Sequence, residues 1–109
     1  MADTDDCIFC RIVKGQDQTS IEKVTDRVVV VQDVRPIAPI HLLIIPKQHI
    51  RDIRDAEPYL WDDIRKVVTE IASERKLSGF RITTNAGDAA MIPHMVIHML
   101  AGITSDRAI

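Results

Sequence analysis

The sequence carries no excess of positive charge. Its 14 Lys and Arg are outweighed by 16 Asp and Glu, for a formal charge of -2. It therefore lacks the electrostatic footprint of a nucleic-acid binder or of a protein that rides an anionic membrane. A bound mononucleotide is not excluded, because a few placed groups suffice for one. No apolar run approaches the roughly 20 residues of a membrane-spanning helix. The opening Met1-Ala2-Asp3-Thr4-Asp5-Asp6 is acidic, the opposite of a signal-peptide start, so the expected location is cytoplasmic. Repeats, low-complexity segments and linkers are missing as well. At 109 residues, one domain over 1–109 with a real but modest core is expected. Cysteine is limited to two residues, set together as Cys7-Ile8-Phe9-Cys10. In a cytoplasmic chain that spacing suggests metal or redox chemistry rather than a structural disulfide.

What is present is ordinary for a globular protein: 46% apolar and 28% charged residues. Cys7 to Val13 has helical character, with Asp5 or Asp6 as N-cap and Gly15 as its stop. Ile21 to Thr25 reads as a short strand, and Asp26-Arg27 as a turn into the β-branched run Val28 to Val31. Pro36 and Pro39 make Asp33 to Ile40 a loop or a bent edge. His41 to Ile45 is the next strand, ended by Pro46. Asp55 to Leu77 is the one long helix, with Leu60, Ile64, Val67, Val68 and Ile71 on one stripe, Pro58 in its first turn and Gly79 as its C-cap. Phe80 to Thr84 is a strand, Asn85 to Met91 a loop, and Ile92 to Leu100 the last strand. Strands, then a helix, then two strands predict an α+β domain with an antiparallel sheet.

Two features carry chemistry. On the last strand, alternation places His94, Val96 and His98 on one face, with Met95, Ile97 and Met99 on the other. Neighbouring positions on that face lie two residues and roughly 7 Å apart, so His94 and His98, four residues apart, are either a functional pair or one core and one edge histidine. The Cys-x-x-Cys pair supplies half of a tetrahedral zinc site or is a plain reduced dithiol. The histidines available to close such a site are His41, His49, His94 and His98.

Taken together, Cys7 to Ile12, the block Asp33-Val34-Arg35-Pro36-Ile37-Ala38-Pro39-Ile40-His41-Leu42-Leu43-Ile44-Ile45-Pro46-Lys47-Gln48-His49-Ile50, then Asn85-Ala86-Gly87 and His94 to Leu100, resemble the histidine triad (HIT) family in its Hint-like branch. The likeness covers nearly the whole chain. It implies the HIT fold: an antiparallel sheet of about five strands with one long and one short helix. It also implies a homodimer, and the family activity of a nucleoside phosphoramidase or dinucleoside polyphosphate hydrolase. By the same likeness Cys7, Cys10, His49 and His94 are structural zinc ligands, and Ile8, Phe9, Ile12 and Val31 form a base pocket. Asp33 takes the ribose of a purine mononucleotide such as AMP or GMP. Asn85 and His98 serve its phosphate, and His41 orients the nucleophile. His94, His98 and His41 are what remains of the catalytic set.

The nucleophile itself is missing. Val96 stands at the middle position of the triad, and an isopropyl group has no lone pair with which to attack phosphorus. The preceding loop, Gly87-Asp88-Ala89-Ala90-Met91-Ile92-Pro93, is shorter than the family's and lacks its Gly-Gln pair. The expected function is therefore a purine-nucleotide-binding HIT protein impaired in catalysis. The alternatives are an active nucleotidyl hydrolase and a zinc-stabilised interaction module without ligand.

Overall fold

A computed structural model describes residues 7–16 and 20–104. Along the chain run α1 (Ile8–Val13), β1 (Ile21–Val24), β2 (Val28–Gln32), β3 (Ile40–Pro46), α2 (Pro58–Glu74), β4 (Arg81–Thr83) and β5 (Ile97–Ala101). Single 3-10 turns occupy Ile53–Asp55 and Gly87–Ala89. The five strands form one sheet in the order β1-β2-β3-β5-β4, with every neighbouring pair antiparallel. This is the α+β architecture expected from the order of elements.

Strands β2 and β3 are apolar without alternation because both faces of the sheet are covered. Val28, Val30, Leu42, Ile44, Ile97 and Met99 point to one side and pack with the buried stripe Leu60, Ile64, Val67, Val68 and Ile71 of α2. Val29, Val31, Leu43 and Ile45 point to the other and pack with Ile12 and Phe9 of α1. The two covers are unequal. Helix α2 has 17 residues, whereas α1 has 6 and is only about 9 Å long. The α1 face is therefore left partly open, and the cleft lies there.

Three boundaries differ from expectation by more than one residue. Helix α2 starts at Pro58 rather than Asp55, because the residue before a proline is pushed out of the helical region, and Glu57 is extended. At its other end Gly79 is not the cap. Lys76 takes the left-handed position at φ 55°, and the Leu77 and Lys76 amides donate to the Ala72 and Ser73 carbonyls at 2.9 and 3.2 Å. The last strand begins at Ile97, not Ile92. Pro93 has no amide to offer a ladder, the His94 amide folds back onto the Ile92 carbonyl (2.8 Å), and the Met95 amide goes to Ile50 (2.9 Å). Even so the alternation survives: Met95, Ile97 and Met99 enter the α2-side core, and Val96 packs on the α1 side.

Helix α1 ends at Val13 with Lys14 as its cap, and Gly15, the expected stop, follows at φ 76°. The caps expected at Asp5 or Asp6 lie outside the described residues; the N-cap is Cys7, whose Sγ accepts the Cys10 amide at 3.3 Å. Just past β5, Gly102 has φ 78° and lies so close to Pro39 that an added Cβ would sit 2.8 Å from its Cγ.

Candidate functional site

Cys7 and Cys10 stand at the start of α1, one turn apart. His49 follows the end of β3, and His94 precedes β5. Their ligand atoms all lie within 4.8 Å of one another. Cys10 Sγ is 2.9 Å from His49 Nδ1, and His94 Nδ1 is 3.3 Å from Cys7 Sγ and 3.4 Å from Cys10 Sγ. A tetrahedral ion with two thiolates and two imidazoles sets S···N edges of roughly 3.6 Å, so the cluster needs only slight expansion to accept one. The outer side of His94 agrees. Its Nε2 meets the Pro46 carbonyl at 2.9 Å, and a carbonyl only accepts, so the proton is on Nε2 and the Nδ1 lone pair faces the thiols. These four residues could hold a metal ion.

The second cluster lies on the open face. Antiparallel register sets His98 opposite Leu43 and two positions from His41, a diagonal that two imidazoles can span. His41 Nε2 is 2.9 Å from His98 Nδ1 and 3.3 Å from Asp33 Oδ2. The Ile37 amide donates to His41 Nδ1 at 3.2 Å, so the neutral His41 ring carries its proton on Nε2 and donates it inward. His98 Nδ1 is then an acceptor, and its Nε2–H is left to donate. Although the ligand atoms of Asp33, His41 and His98 also lie within 4.8 Å of one another, a protonated Nε2 makes this a hydrogen-bond chain rather than a ligand set. Burial first, and then the His41 ring, hold the His98 ring below the ordinary imidazole value, with Asp33 acting the other way.

Around this chain the surface is hollow. A cleft of about 550 Å³ is lined by Ile8, Phe9, Ile12, Val31, Asp33 and His98. An adjoining cavity of about 290 Å³ is lined by Phe9, Asn85, Met91, Val96 and His98, and reaches His94. Every residue expected to touch a nucleotide thus borders one of two connected hollows, with Phe9 and His98 bordering both.

The chain matches, over residues 6–103, the family model described as "Scavenger mRNA decapping enzyme C-term binding". It is 36% identical over 106 residues to an uncharacterized HIT-like protein of Saccharolobus solfataricus, which covers 92% of this chain and 76% of that protein. The chain belongs to the histidine triad (HIT) family. A histidine triad protein from Clostridium difficile shares its fold at TM-score 0.89 and 31% identity, over 98% of this chain and 99% of that one. A Zn-bound HIT family protein from Mycobacterium smegmatis does so at TM-score 0.80 and 28% identity, over 93% and 78% respectively.

Some of this HIT chain's site could not be read from its sequence. Met91, 96% exposed, borders both hollows, and Arg35 borders the larger one. Asp52, three residues after His49, is wholly buried and accepts the Gly87 amide of the loop after β4. A lone aspartate after His49 gives no sequence signal of that burial. The Pro46 carbonyl behind His94 is equally invisible, because backbone contacts leave no trace in residue identity.

Proposed function

We propose that this protein binds a purine nucleoside monophosphate such as AMP or GMP and has lost most of the hydrolytic activity of its family. The observation that carries the reading is Val96. It borders the smaller hollow together with Asn85 and His98, at the position where a nucleophile would stand, while the residues assigned to base, ribose and phosphate binding are present around the two hollows. The base lies between Ile8, Phe9, Ile12 and Val31, whose apolar faces exclude water from it. Asp33 accepts hydrogen bonds from the ribose hydroxyls. Its own hold on the Arg35 amide (2.8 Å) keeps the carboxylate in place. His98, with Nε2–H facing outward, donates to the phosphate, and Asn85 adds a second polar group. His41, which would orient a nucleophile, here orients His98. Nothing in the set can form a bond to phosphorus at position 96.

Cys7, Cys10, His49 and His94 would hold zinc. Its contribution is structural, a crosslink among the start of α1, the end of β3 and the segment before β5. On this reading the protein works in the cytoplasm as a homodimer, as its family likeness implies. The edge strand β4, with Ile82 44% exposed and Phe80 just before it 41% exposed, is the surface a second copy would cover.

The test has two arms. AMP binding by calorimetry should weaken by about 1.5–3 kcal/mol in Asp33→Ala, the range for a hydrogen bond to a charged group. Turnover of an adenosine phosphoramidate should stay near background, since loss of a nucleophile costs on the order of 10⁶ in comparable systems. Val96→His should raise it measurably, though incompletely, because the loop still lacks its Gly-Gln pair. Robust hydrolysis by the unaltered protein, untouched by His98→Ala, would overturn the reading.

A further inference from the structure

The segment between β3 and α2 carries His49 at one end and Asp52 three residues later. Asp52 is 0% exposed, an unusual place for a carboxylate, and its oxygens accept four hydrogen bonds. Oδ1 receives the Arg54 amide (3.0 Å) and Arg54 Nε (2.9 Å). Oδ2 receives the Arg54 guanidinium again (2.6 Å) and the Gly87 amide (3.2 Å). Three of these bonds are local and would exist in a free turn. The fourth spans 35 residues and is of a different kind. Gly87, at φ 59°, opens the turn Gly87–Ala89, flanked by Asn85 on one side and Met91 and Ile92 on the other. Those three residues all border the smaller hollow. On the same segment the Ile50 carbonyl takes the Met95 amide (2.9 Å), beside His94. One short stretch thus touches the metal cluster through His49 and the phosphate-side wall through Asp52.

We propose that Asp52 is a positioning residue that clasps the phosphate-side loop to the metal cluster, so that metal and nucleotide favour each other's binding. The proposal rests on the nucleotide reading above. Among the described residues the loop is tied across the fold, at Gly87, by a charge-assisted bond to a buried, doubly held carboxylate, and it moves with that carboxylate. The carboxylate moves with His49, because the intervening residues are few and Ile50 is pinned to Met95. A metal that fixes His49 therefore fixes Asn85 and the wall beyond it. Coupling between two binding equilibria is reciprocal, so it is measurable from either side.

Zinc affinity is measured by competition with a chromophoric chelator, with and without saturating AMP. Gly87 amide exchange is followed by NMR in the zinc-loaded protein and during chelator titration. AMP should tighten zinc binding about tenfold, with zinc tightening AMP by the same factor, and Gly87 exchange should quicken on zinc loss while the Val30 and Ile44 amides stay protected. In Asp52→Asn, which keeps the shape and one acceptor oxygen, zinc-loaded protein should bind AMP as weakly as the metal-free parent, and the reciprocal factor should fall to one. Arg54→Met serves as the second variant if Asp52→Asn does not fold, and should lower the coupling without touching any zinc ligand. Equal zinc affinity with and without AMP, or full coupling retained in the variants, overturns the proposal. If AMP does not bind the zinc-loaded protein at all, the nucleotide reading fails. The clasp is then judged on Gly87 exchange alone, and exchange indifferent to zinc overturns it.

Discussion

Replacing Gly102 by Ala should be among the most damaging single-methyl additions this protein can suffer. Two costs fall on the same atom. At φ 78° a side-chain-bearing residue is in left-handed territory, which costs about 1–2 kcal/mol. The new Cβ would also lie 2.8 and 2.9 Å from Cγ and Cβ of Pro39, against an optimum of about 3.5–4.0 Å between carbons. A proline ring cannot rotate out of the way, so the loop itself must shift, and such overpacking costs about 1–3 kcal/mol. The stiffer unfolded chain returns only about 0.4–1 kcal/mol. A net loss near 3 kcal/mol is expected. Urea unfolding followed by the fluorescence of the single tryptophan, Trp61, measures it, with the slope unchanged and the midpoint lowered. Pro39→Gly in the same chain should recover the steric share, leaving the backbone share, as a coupling between touching residues. A loss below 0.5 kcal/mol, or full additivity of the two changes, refutes the reasoning. The displaced loop carries Asp33, so AMP binding should weaken in the same variant.

The end of α2 offers the reverse case: Lys76→Gly should stabilise the protein by up to about 1 kcal/mol by removing a left-handed lysine, whereas Gly79→Ala, with open space around it and no positive φ, should be neutral or slightly stabilising. Denaturant midpoints that rank the two the other way would place the cap at Gly79. Protein purified without chelator should carry close to one zinc, and Cys10→Ser should lose it with a large fall in Tm; metal analysis finding none would refute the site. For pH, the folded state resists protonation of His98 while the unfolded chain accepts the proton near the ordinary value of about 6.5. The unfolded state therefore binds more protons below that value, and the His98 contribution is neutral above it and turns against folding as pH drops through it. Unfolding midpoints from pH 7.5 to 5.5 should fall less steeply in His98→Gln than in the parent; equal slopes refute the assignment.

The sheet was legible because its strands are composed for it. Four consecutive valines, and Leu-Leu-Ile-Ile behind a proline-marked loop, can hardly be anything but strands covered on both faces. The amphipathic stripe of α2 was equally plain. Its ends were not, since a lysine in a left-handed position has no sequence mark and Gly79 offered a more conventional stop. The last strand was overextended because His94 to Leu100 alternates correctly. The backbone leaves the ladder at Pro93 to deliver the Met95 amide to Ile50, a contact 45 residues away in sequence that periodicity cannot contain. At the site, ligand type and spacing named Cys7 and Cys10 as a pair. Their joining to His49 and His94 came from family likeness, and the geometry then brought the four together. Asp52 escaped both routes, because its partner across the fold is the Gly87 amide 35 residues away, a backbone contact that residue identity does not mark.

The strand order has a consequence for how the chain reaches this state. Strands β1, β2 and β3 form a meander of near neighbours, able to pair as soon as they exist. The far edge of β3 has to wait for β5, whose His98 lies 57 residues beyond His41. Strand β4 waits too, since β5 is its one partner in the sheet. Until Ile97 to Ala101 docks, a half-sheet presents Leu42 and Ile44 along an unpaired edge, the surface that invites association with other chains. Bringing such distant segments together costs chain entropy before their contacts form, so β5 is expected to dock late. That same step brings His98 to His41 and His94 to the cysteines. The cleft and the metal cluster are finished only when the sheet is.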